Sequence, residues 1–333
     1  MRFAVSCGDI GGIGPEIIIK SVQRFYHLNK RFSYILNLPY DIFVEEYRTA
    51  GADFPYYVVR ELEGLKLPFH PVIILDLPAG KIEKNRFGKD SRAGGDISYM
   101  SILRSFEQCR KGICDAIVTA PISKTSMKLA GLKYHGHTEL LAKLDKARFH
   151  SMFFLSDNFV ANLFTIHIPV NQISTKITKP ELRKFFLHSL ATLKNDFLIR
   201  KPRVAVLGLN PHAGENGLIG KEEKNVLSPV IEEFGTYMYG PFVPDAFFAN
   251  SLYNEFDLVT GMYHDQVLIP FKMLNFNSGV NYTSGLSVIR TSPDHGTAFD
   301  IAGKNCADPS SMMSAFLWAE KVSKSRKKSF AAS

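Results

Sequence analysis

Short apolar runs alternate with helical patterns along this chain, and that alternation restricts it to mainly parallel α/β layers. Arg2–Ser6 reads as a strand, followed by a glycine-rich turn and a helix opened by Pro15 at its first position. A helical pattern from about Gly95 carries Ile97, Met100, Leu103 and Phe106 at spacings of three. Residues 115–119 (DAIVT) read as a buried strand that runs into the turn Ala120-Pro121. Pro180 opens a further helix with Leu182, Phe185, Phe186, Leu190 and Leu193 on one face. Residues 221–234 repeat the scheme with Val226, Leu227, Val230 and Ile231. At 333 residues two domains are expected, yet no Pro/Gly/Ser-rich linker marks a border. Residues 121–139 and 285–303 are the best candidates for crossings between lobes.

Chemistry-bearing residues stand where such a fold uses them. Three histidines each follow a run that reads as buried strand: His167 after 159–166, His212 after 203–209 and His264 after 257–262. In open α/β sheets, ligands gather at the carboxyl ends of strands. Three neutral imidazoles delivered there suit zinc or another divalent ion and leave positions open for substrate. A single histidine at a strand end is an ordinary loop residue, so the suggestion rests on the three together.

The net charge is +8, part of it in residues 321–328, which read as a solvated, frayed terminus rather than a nucleic-acid patch. A basic chain also suits an anionic small substrate. The most apolar region, 151–170, is broken by Asp157, Asn158 and His167 and fails as a membrane span. The opening MRFAVSCGDIGG reads as a first strand, since its apolar run is too short for a signal peptide. Cys7, Cys109, Cys114 and Cys306 show neither CxxC spacing nor a disulfide framework. Reduced thiols in a cytoplasmic protein are therefore expected, with neither nucleic acid nor membrane as partner.

The first loop, residues 8–16 (GDIGGIGPE), lies between a strand and a helix, where backbone amides can cradle an anion. Its glycines can equally serve a tight turn alone. The loop is neither GxGxxG nor a Walker loop, so a standard dinucleotide fingerprint is absent. In residues 136–139 (GHTE), His137 can face substrate while Thr138 is placed to cap the following helix. Residues 210–215 (NPHAGE) and 263–266 (YHDQ) are polar turns at strand ends. His264 beside Asp265 fits the arrangement in which a carboxylate fixes the tautomer of a ligating imidazole. Lys272, Asn281 and Arg290 follow, and two cations with an amide suit a phosphate or carboxylate clamp. Singly, each is an ordinary surface residue. Residues 292–303 (SPDHGTAFDIAG) make a poor core segment but a good loop that approaches a ligand with its backbone.

Taken in order, GDIGGIGPEI, VTAPISK, GHTELLA, TIHIPV, LNPHAGENGLIGKEE, GPFVPDAFF, MYHDQVLIPFK and GVNYTSGLSVIRTSPDHGTAFDIAG resemble the 4-hydroxythreonine-4-phosphate dehydrogenase family. The match runs from Gly8 to Gly303. Its last segment is also similar to the cofactor loop of isopropylmalate and isocitrate dehydrogenases, whose fold that family shares. Two positions depart: Ile10 stands where a proline is common, and Val267 where a glycine is common.

The resemblance implies a two-lobed isocitrate/isopropylmalate dehydrogenase-like α/β fold with mainly parallel sheets flanked by helices. It also implies a homodimer with the site in the cleft between lobes, at the subunit interface. The expected lobes are 1–125 plus 290–333, carrying the cofactor loop, and 126–289, carrying metal ligands and dimer interface. His167, His212 and His264 match the family's metal ligands, drawn from both subunits, for one divalent ion per site. Zinc is foremost, with magnesium or cobalt as alternatives. His137, Thr138, Lys272, Asn281 and Arg290 match substrate-binding positions, largely around the phosphate. Asp245 and Asp265 match acids that support the site and are the candidate general bases. NAD or NADP would lie along the last loop, against His295, Gly296, Thr297, Asp300 and Gly303.

The implied reaction is the NAD-dependent, metal-assisted oxidation of 4-phosphohydroxy-L-threonine in pyridoxal phosphate biosynthesis. Decarboxylation to 3-amino-2-oxopropyl phosphate would follow. A variant acts on 4-phospho-D-threonate or 4-phospho-D-erythronate, which lack the amino group, and no motif decides between them. Two readings of another class keep the phosphate clamp: a metal-dependent phosphotransferase or hydrolase, and a non-catalytic binder.

Overall fold

The computed structural model describes every residue except 29–31, 64–71, 81, 84, 135 and 332–333. In chain order the first strands are β1 (Arg2–Ser6), β2 (Ser33–Leu38), β3 (Tyr56–Val59), β4 (Val72–Asp76), β5 (Ala116–Thr119) and β6 (Ser151–Leu155). Then come β7 (Ala161–Leu163), β8 (Val204–Leu207), β9 (Met238–Phe242), β10 (Leu258–Gly261), β11 (Val280–Ser284) and β12 (Arg290–Pro293). The chain divides into two compact units, Met1–Arg148 with Leu286–Ser323, and Phe149–Gly285 with Lys324–Ser333. The first border lies at Arg148 rather than at 125 because two helices after β5 stay with the first core. Helices Lys124–Leu129 and His137–Asp145 place Met127, Leu140 and Leu141 in one apolar cluster with Ile102 and Phe106. Each such side chain is worth about 1.5–3 kcal/mol when buried.

In the first unit all six strands are parallel, in the order β3-β4-β2-β1-β5-β12. The residues of β2 and β5 are buried throughout, as parallel strands covered on both faces require. The chain leaves β1 for β2 on one side and later returns to β5 on the other. Strand order therefore reverses between β1 and β5, where such sheets open a crevice. Phe25 of helix Gly14–His27 and Phe316 of helix Ser310–Ala331 meet edge to face, and Phe316 also meets Phe3 of β1 at 5.1 Å. Helix Arg92–Arg110 differs from the sequence expectation. Met100 and Leu103 are only half-buried, while Gly94, Gly95, Ser98, Ser101 and Ser105 form much of its buried face. Small side chains let this helix approach closely, and their hydroxyls serve buried polar groups. Ser101 Oγ accepts from the Cys7 amide at 2.8 Å, and Ser105 Oγ from Asn37 Nδ2 at 3.0 Å.

The second unit has the strand order β11-β6-β7-β10-β8-β9. β6 runs antiparallel to both β11 and β7, whereas β7, β10, β8 and β9 are mutually parallel. Phe154, Leu163, Leu207, Val259, Val267 and Phe271 belong to its core. Val267, one of the two departures, packs directly against Gly261, where a Cβ would strike its Cγ2. Helix Lys179–Asp196 carries Pro180 in its first turn and buries Leu182, Phe185, Phe186, Leu190 and Leu193.

The basic segment 321–328 is not a frayed end, contrary to the sequence reading. It continues helix Ser310–Ala331. Arg326 Nε donates to Asp196 Oδ1 at 2.6 Å and Nη2 donates to Tyr282 Oη at 2.8 Å. Tyr282 Oη in turn donates to Asp196 Oδ2 at 2.5 Å. A buried carboxylate requires such donors, and these three residues are too far apart in sequence to signal one another. All four cysteines are free. Among the described residues, no helix is long and apolar enough to cross a membrane.

Candidate functional site

β7, β10 and β8 are neighbouring parallel strands, so His167, His264 and His212 all follow the same, carboxyl edge of the second unit's sheet. Thr165 anchors the segment after β7, because its amide and hydroxyl both donate to Met262 O, at 3.2 and 2.6 Å. The Phe164 amide donates to Gly261 O at 2.9 Å. These bonds bring His167 beside His264, with ring centroids 5.9 Å apart. His264 opens helix His264–Asn275, and its Nδ1 lies 2.6 Å from Asp265 Oδ1. A carboxylate on Nδ1 holds the ring proton there and leaves the Nε2 lone pair for a ligand. Gln266, which no motif singled out, joins two strand ends. Its Oε1 accepts from the Met262 amide at 2.7 Å and its Nε2 donates to Gly208 O at 2.6 Å.

His212 does not join that pair. It is exposed and begins a left-handed run, with φ of 52° at His212, 50° at Ala213, 78° at Gly214, 42° at Glu215, 54° at Asn216 and 97° at Gly217. Left-handed backbone costs about 1–2 kcal/mol per residue with a Cβ. Only Gly214 and Gly217 escape that cost. Strain of this kind persists where the surroundings over-determine it, and here Glu223 does so. Its buried carboxylate accepts from the Leu209 amide at 2.8 Å, the Asn210 amide at 2.7 Å and Asn210 Nδ2 at 2.9 Å. Within one chain, the described residues contain no group of three or more His, Cys, Asp or Glu able to hold a metal ion.

In the first unit, functional side chains meet where β5 ends. Arg290 opens β12 and is 4 % exposed, and its Nη2 and Nε donate to Thr119 Oγ1 at 2.8 and 3.1 Å. His137 begins helix His137–Asp145, and its Nε2 is buried without a hydrogen-bond partner. Burial first, and the Arg290 charge second, hold its pKa well below the usual imidazole value; a hydrogen bond with the Ala120 backbone opposes them. The ring is therefore neutral at physiological pH. Burial also lowers the Arg290 pKa, opposed by Glu139, and still leaves a cation at neutral pH. A buried guanidinium beside a neutral imidazole favours an anionic ligand with a donor of its own. Thr138 does not cap the helix, contrary to expectation. Gly136 holds the cap position, and the Leu140 amide donates to Gly136 O at 3.2 Å, starting the helix at His137.

Three other expected residues stand on elements of the second unit. Lys272 is exposed on helix His264–Asn275, and Asn281 is half-buried on β11. Asp245 is exposed in the first turn of helix Pro244–Ala249. Of the two candidate acids, Asp265 is the one seen against a predicted ligand.

The first loop is not an open anion cradle. The amides of Asp9, Gly11, Gly12 and Ile13 donate to Pro121 O, Asp9 Oδ1, Asp9 O and Thr297 O, at 2.9 to 3.0 Å. Gly8, with φ 72°, is required because a Cβ would strike Pro121 O. The glycines thus serve close packing between the ends of β1 and β5. Thr297 belongs to the loop 294–309, between β12 and helix Ser310–Ala331. That loop is pinned by Asp294 N to Ser311 Oγ at 3.2 Å, Asn305 Nδ2 to Thr49 O at 2.8 Å and Ala307 N to Glu16 Oε1 at 2.8 Å. His295 Nε2 is buried without a partner, while Gly296 has open space where a Cβ would stand. Asp300 is exposed. An orphaned polar atom beside open space in a pinned loop fits a ligand-binding segment.

Known proteins resemble this chain along most of its length. The family model described as pyridoxal phosphate biosynthetic protein PdxA matches residues 41–319. Over 330 residues the chain is 38% identical to the 4-hydroxythreonine-4-phosphate dehydrogenase of Desulforapulum autotrophicum, covering 93% of this chain and 92% of that protein. Over 327 residues it is 40% identical to the D-threonate 4-phosphate dehydrogenase of Salmonella typhimurium, covering 93% and 95%. The crystal structure of 4-hydroxythreonine-4-phosphate dehydrogenase from Klebsiella pneumoniae matches with a TM-score of 0.83 at 33% identity, covering 97% and 98%. The isocitrate dehydrogenase of Methylococcus capsulatus shares the fold alone, with a TM-score of 0.51 at 13% identity, covering 99% and 87%.

Proposed function

The chain belongs to the family of pyridoxal phosphate biosynthetic proteins PdxA, and from that premise we propose that it oxidises 4-phosphohydroxy-L-threonine with NAD or NADP. It is a dehydrogenase with an isocitrate dehydrogenase-like fold. The observation that carries the substrate class is the pairing of Arg290 with His137 at the end of β5. The guanidinium binds the phosphate by charge-assisted hydrogen bonds. One ring nitrogen of His137 is engaged with the Ala120 backbone. Its Nε2 then accepts from a substrate hydroxyl or a singly protonated phosphate. Thr138, Lys272 and Asn281 are proposed as further substrate contacts.

His167 and His264, with Asp265 behind the second, suit two imidazole ligands of a divalent ion, zinc foremost and magnesium or cobalt as alternatives. Such an ion, when bound, lowers the pKa of a ligated hydroxyl. His212 is the proposed third ligand, contributed to the ion of a second copy. Two observations support a homodimer of this kind. The described residues of one chain do not assemble the full set. The second unit also exposes large apolar side chains near these residues in sequence: Leu218 is 85 % exposed, Met273 81 % and Phe276 83 %. Ile269, Met273 and Phe276 recur at helical spacing, and a contiguous exposed apolar stripe marks an interaction surface.

The cofactor is proposed to lie against His295, Gly296, Thr297, Asp300 and Gly303, on the grounds of the orphaned His295 Nε2 and the open side of Gly296. A nicotinamide there supplies the hydride acceptor. Asp245 and Asp265 are the carboxylates proposed to take the proton. The β-keto acid product then loses carbon dioxide to give 3-amino-2-oxopropyl phosphate, in a cytoplasmic biosynthetic route.

Purified protein, incubated with this substrate, each nucleotide and each ion, should form NADH or NADPH. Reduced nucleotide from 4-phospho-D-threonate or 4-phospho-D-erythronate alone would replace the substrate, in line with the Salmonella typhimurium relative. Phosphate release without reduced nucleotide would favour a hydrolase instead.

A further inference from the structure

We propose that Arg86, which belongs to none of the recognised motifs, is a positioning residue for the dinucleotide. The inference rests on the assignment of the cofactor to the loop 294–309. Arg86 is 5 % exposed, and its guanidinium works in three directions. Nε donates to Ile10 O of the first loop at 3.0 Å, Nη1 to Glu45 Oε2 at 2.6 Å and Nη2 to Glu46 Oε1 at 3.1 Å. The guanidinium carbon also lies 4.1 Å from the centroid of the Phe87 ring.

The residues after Arg86 touch both loops. On one side, the Gly88 amide donates to Gly11 O at 2.9 Å. A Cβ on Gly11 would come within 2.7 Å of Lys89 O and 2.9 Å of Arg86 O, so the two backbones are in direct contact. On the other side, Phe87 lies under Gly303, whose Cβ would approach the ring to 2.7 Å, and Gly88 faces Phe299 O. The loops meet each other where the Ile13 amide donates to Thr297 O at 3.0 Å and Gly12 packs on the same carbonyl. Residues 86–89 are thus a wedge between the first loop and the proposed cofactor loop. Backbone-to-backbone and ring-on-glycine contacts have little slack. A shift of Arg86 therefore displaces both loops together. Only a planar fork serves a carbonyl and two carboxylates at once, which is why arginine rather than lysine suits the position. The Glu45 carboxylate at 2.6 Å compensates the buried charge.

The test is fluorescence titration of NADH and NADPH with the full chain, alongside kcat and both KM values, for Arg86→Gln, Arg86→Lys and Phe87→Leu. Arg86→Gln should raise the dinucleotide Kd and KM by about tenfold. The KM of the phosphorylated substrate should change by less than about threefold, because the wedge bonds the first loop and the loop 294–309 directly. Arg86→Lys should recover part of the loss. Phe87→Leu keeps every Arg86 hydrogen bond and should still weaken dinucleotide binding, which decides the matter if Arg86→Gln does not fold. Unchanged dinucleotide affinity in the folded variants, or equal increases in both KM values, overturns the role of Arg86. Absence of dinucleotide binding by the unsubstituted protein overturns the cofactor assignment with it.

Discussion

His264 Nδ1 and Asp265 Oδ1 lie 2.6 Å apart, so consecutive residues form an imidazole–carboxylate pair at the start of one helix. The pair matters because the carboxylate settles which nitrogen is left for a ligand. Asp265→Asn keeps the shape and removes the charge. Metal affinity, read by competition with a chelator, should fall by about 10- to 100-fold. Unchanged affinity would remove His264 from the ligand set.

Glu223 holds the left-handed run that presents His212. Glu223→Gln replaces a buried carboxylate that three N–H groups use, and one of those three must lose its acceptor or accept a weaker one. The expected loss is about 2–4 kcal/mol in urea unfolding. A variant as stable as the parent would show that the run holds itself.

Arg290→Ala leaves the His137 ring and Thr119 without their buried cation. Removing a charge-assisted contact to phosphate costs about 1.5–3 kcal/mol. The substrate KM should therefore rise by roughly tenfold to a hundredfold, with a smaller change in kcat. A KM that does not move would place the phosphate elsewhere.

Burial pushes the Glu46 carboxyl up from 4.5 to about 7 even though Arg86 lies against it. The folded chain then holds this proton more tightly than the unfolded one, so stability from this group falls as pH rises from about 4.5 to about 7. The span corresponds to about 3 kcal/mol. Glu46→Gln should flatten the fall in unfolding free energy across that window. An unchanged slope in urea melts would assign the pH dependence to other groups.

Some of this site was legible before any coordinates. The apolar runs before His167, His212 and His264 became three adjacent parallel strands, because burial on both faces selects such runs. The Pro180 helix buries the face that its periodicity marks. Other parts were invisible for physical reasons. Gln266, Thr165 and Arg86 are single polar residues whose partners lie in distant segments, and nothing local distinguishes them from surface residues. Ser98, Ser101 and Ser105 did recur at helical spacing, but a reading keyed to apolar side chains passes over a buried face made of serine. Glu223 stood beside a recognised motif, and its task appears only once Asn210 folds back onto it.

The alternation of strand and helix, and the delivery of three imidazoles to strand ends, were determined by sequence alone, because both follow from local side-chain periodicity. Tertiary structure decided which imidazoles meet. The order β7-β10-β8, with the bonds of Thr165 to Met262, sets His167 beside His264. The left-handed run braced by Glu223 leaves His212 outside that pair. Both outcomes depend on hydrogen bonds between segments far apart along the chain, which no local pattern encodes.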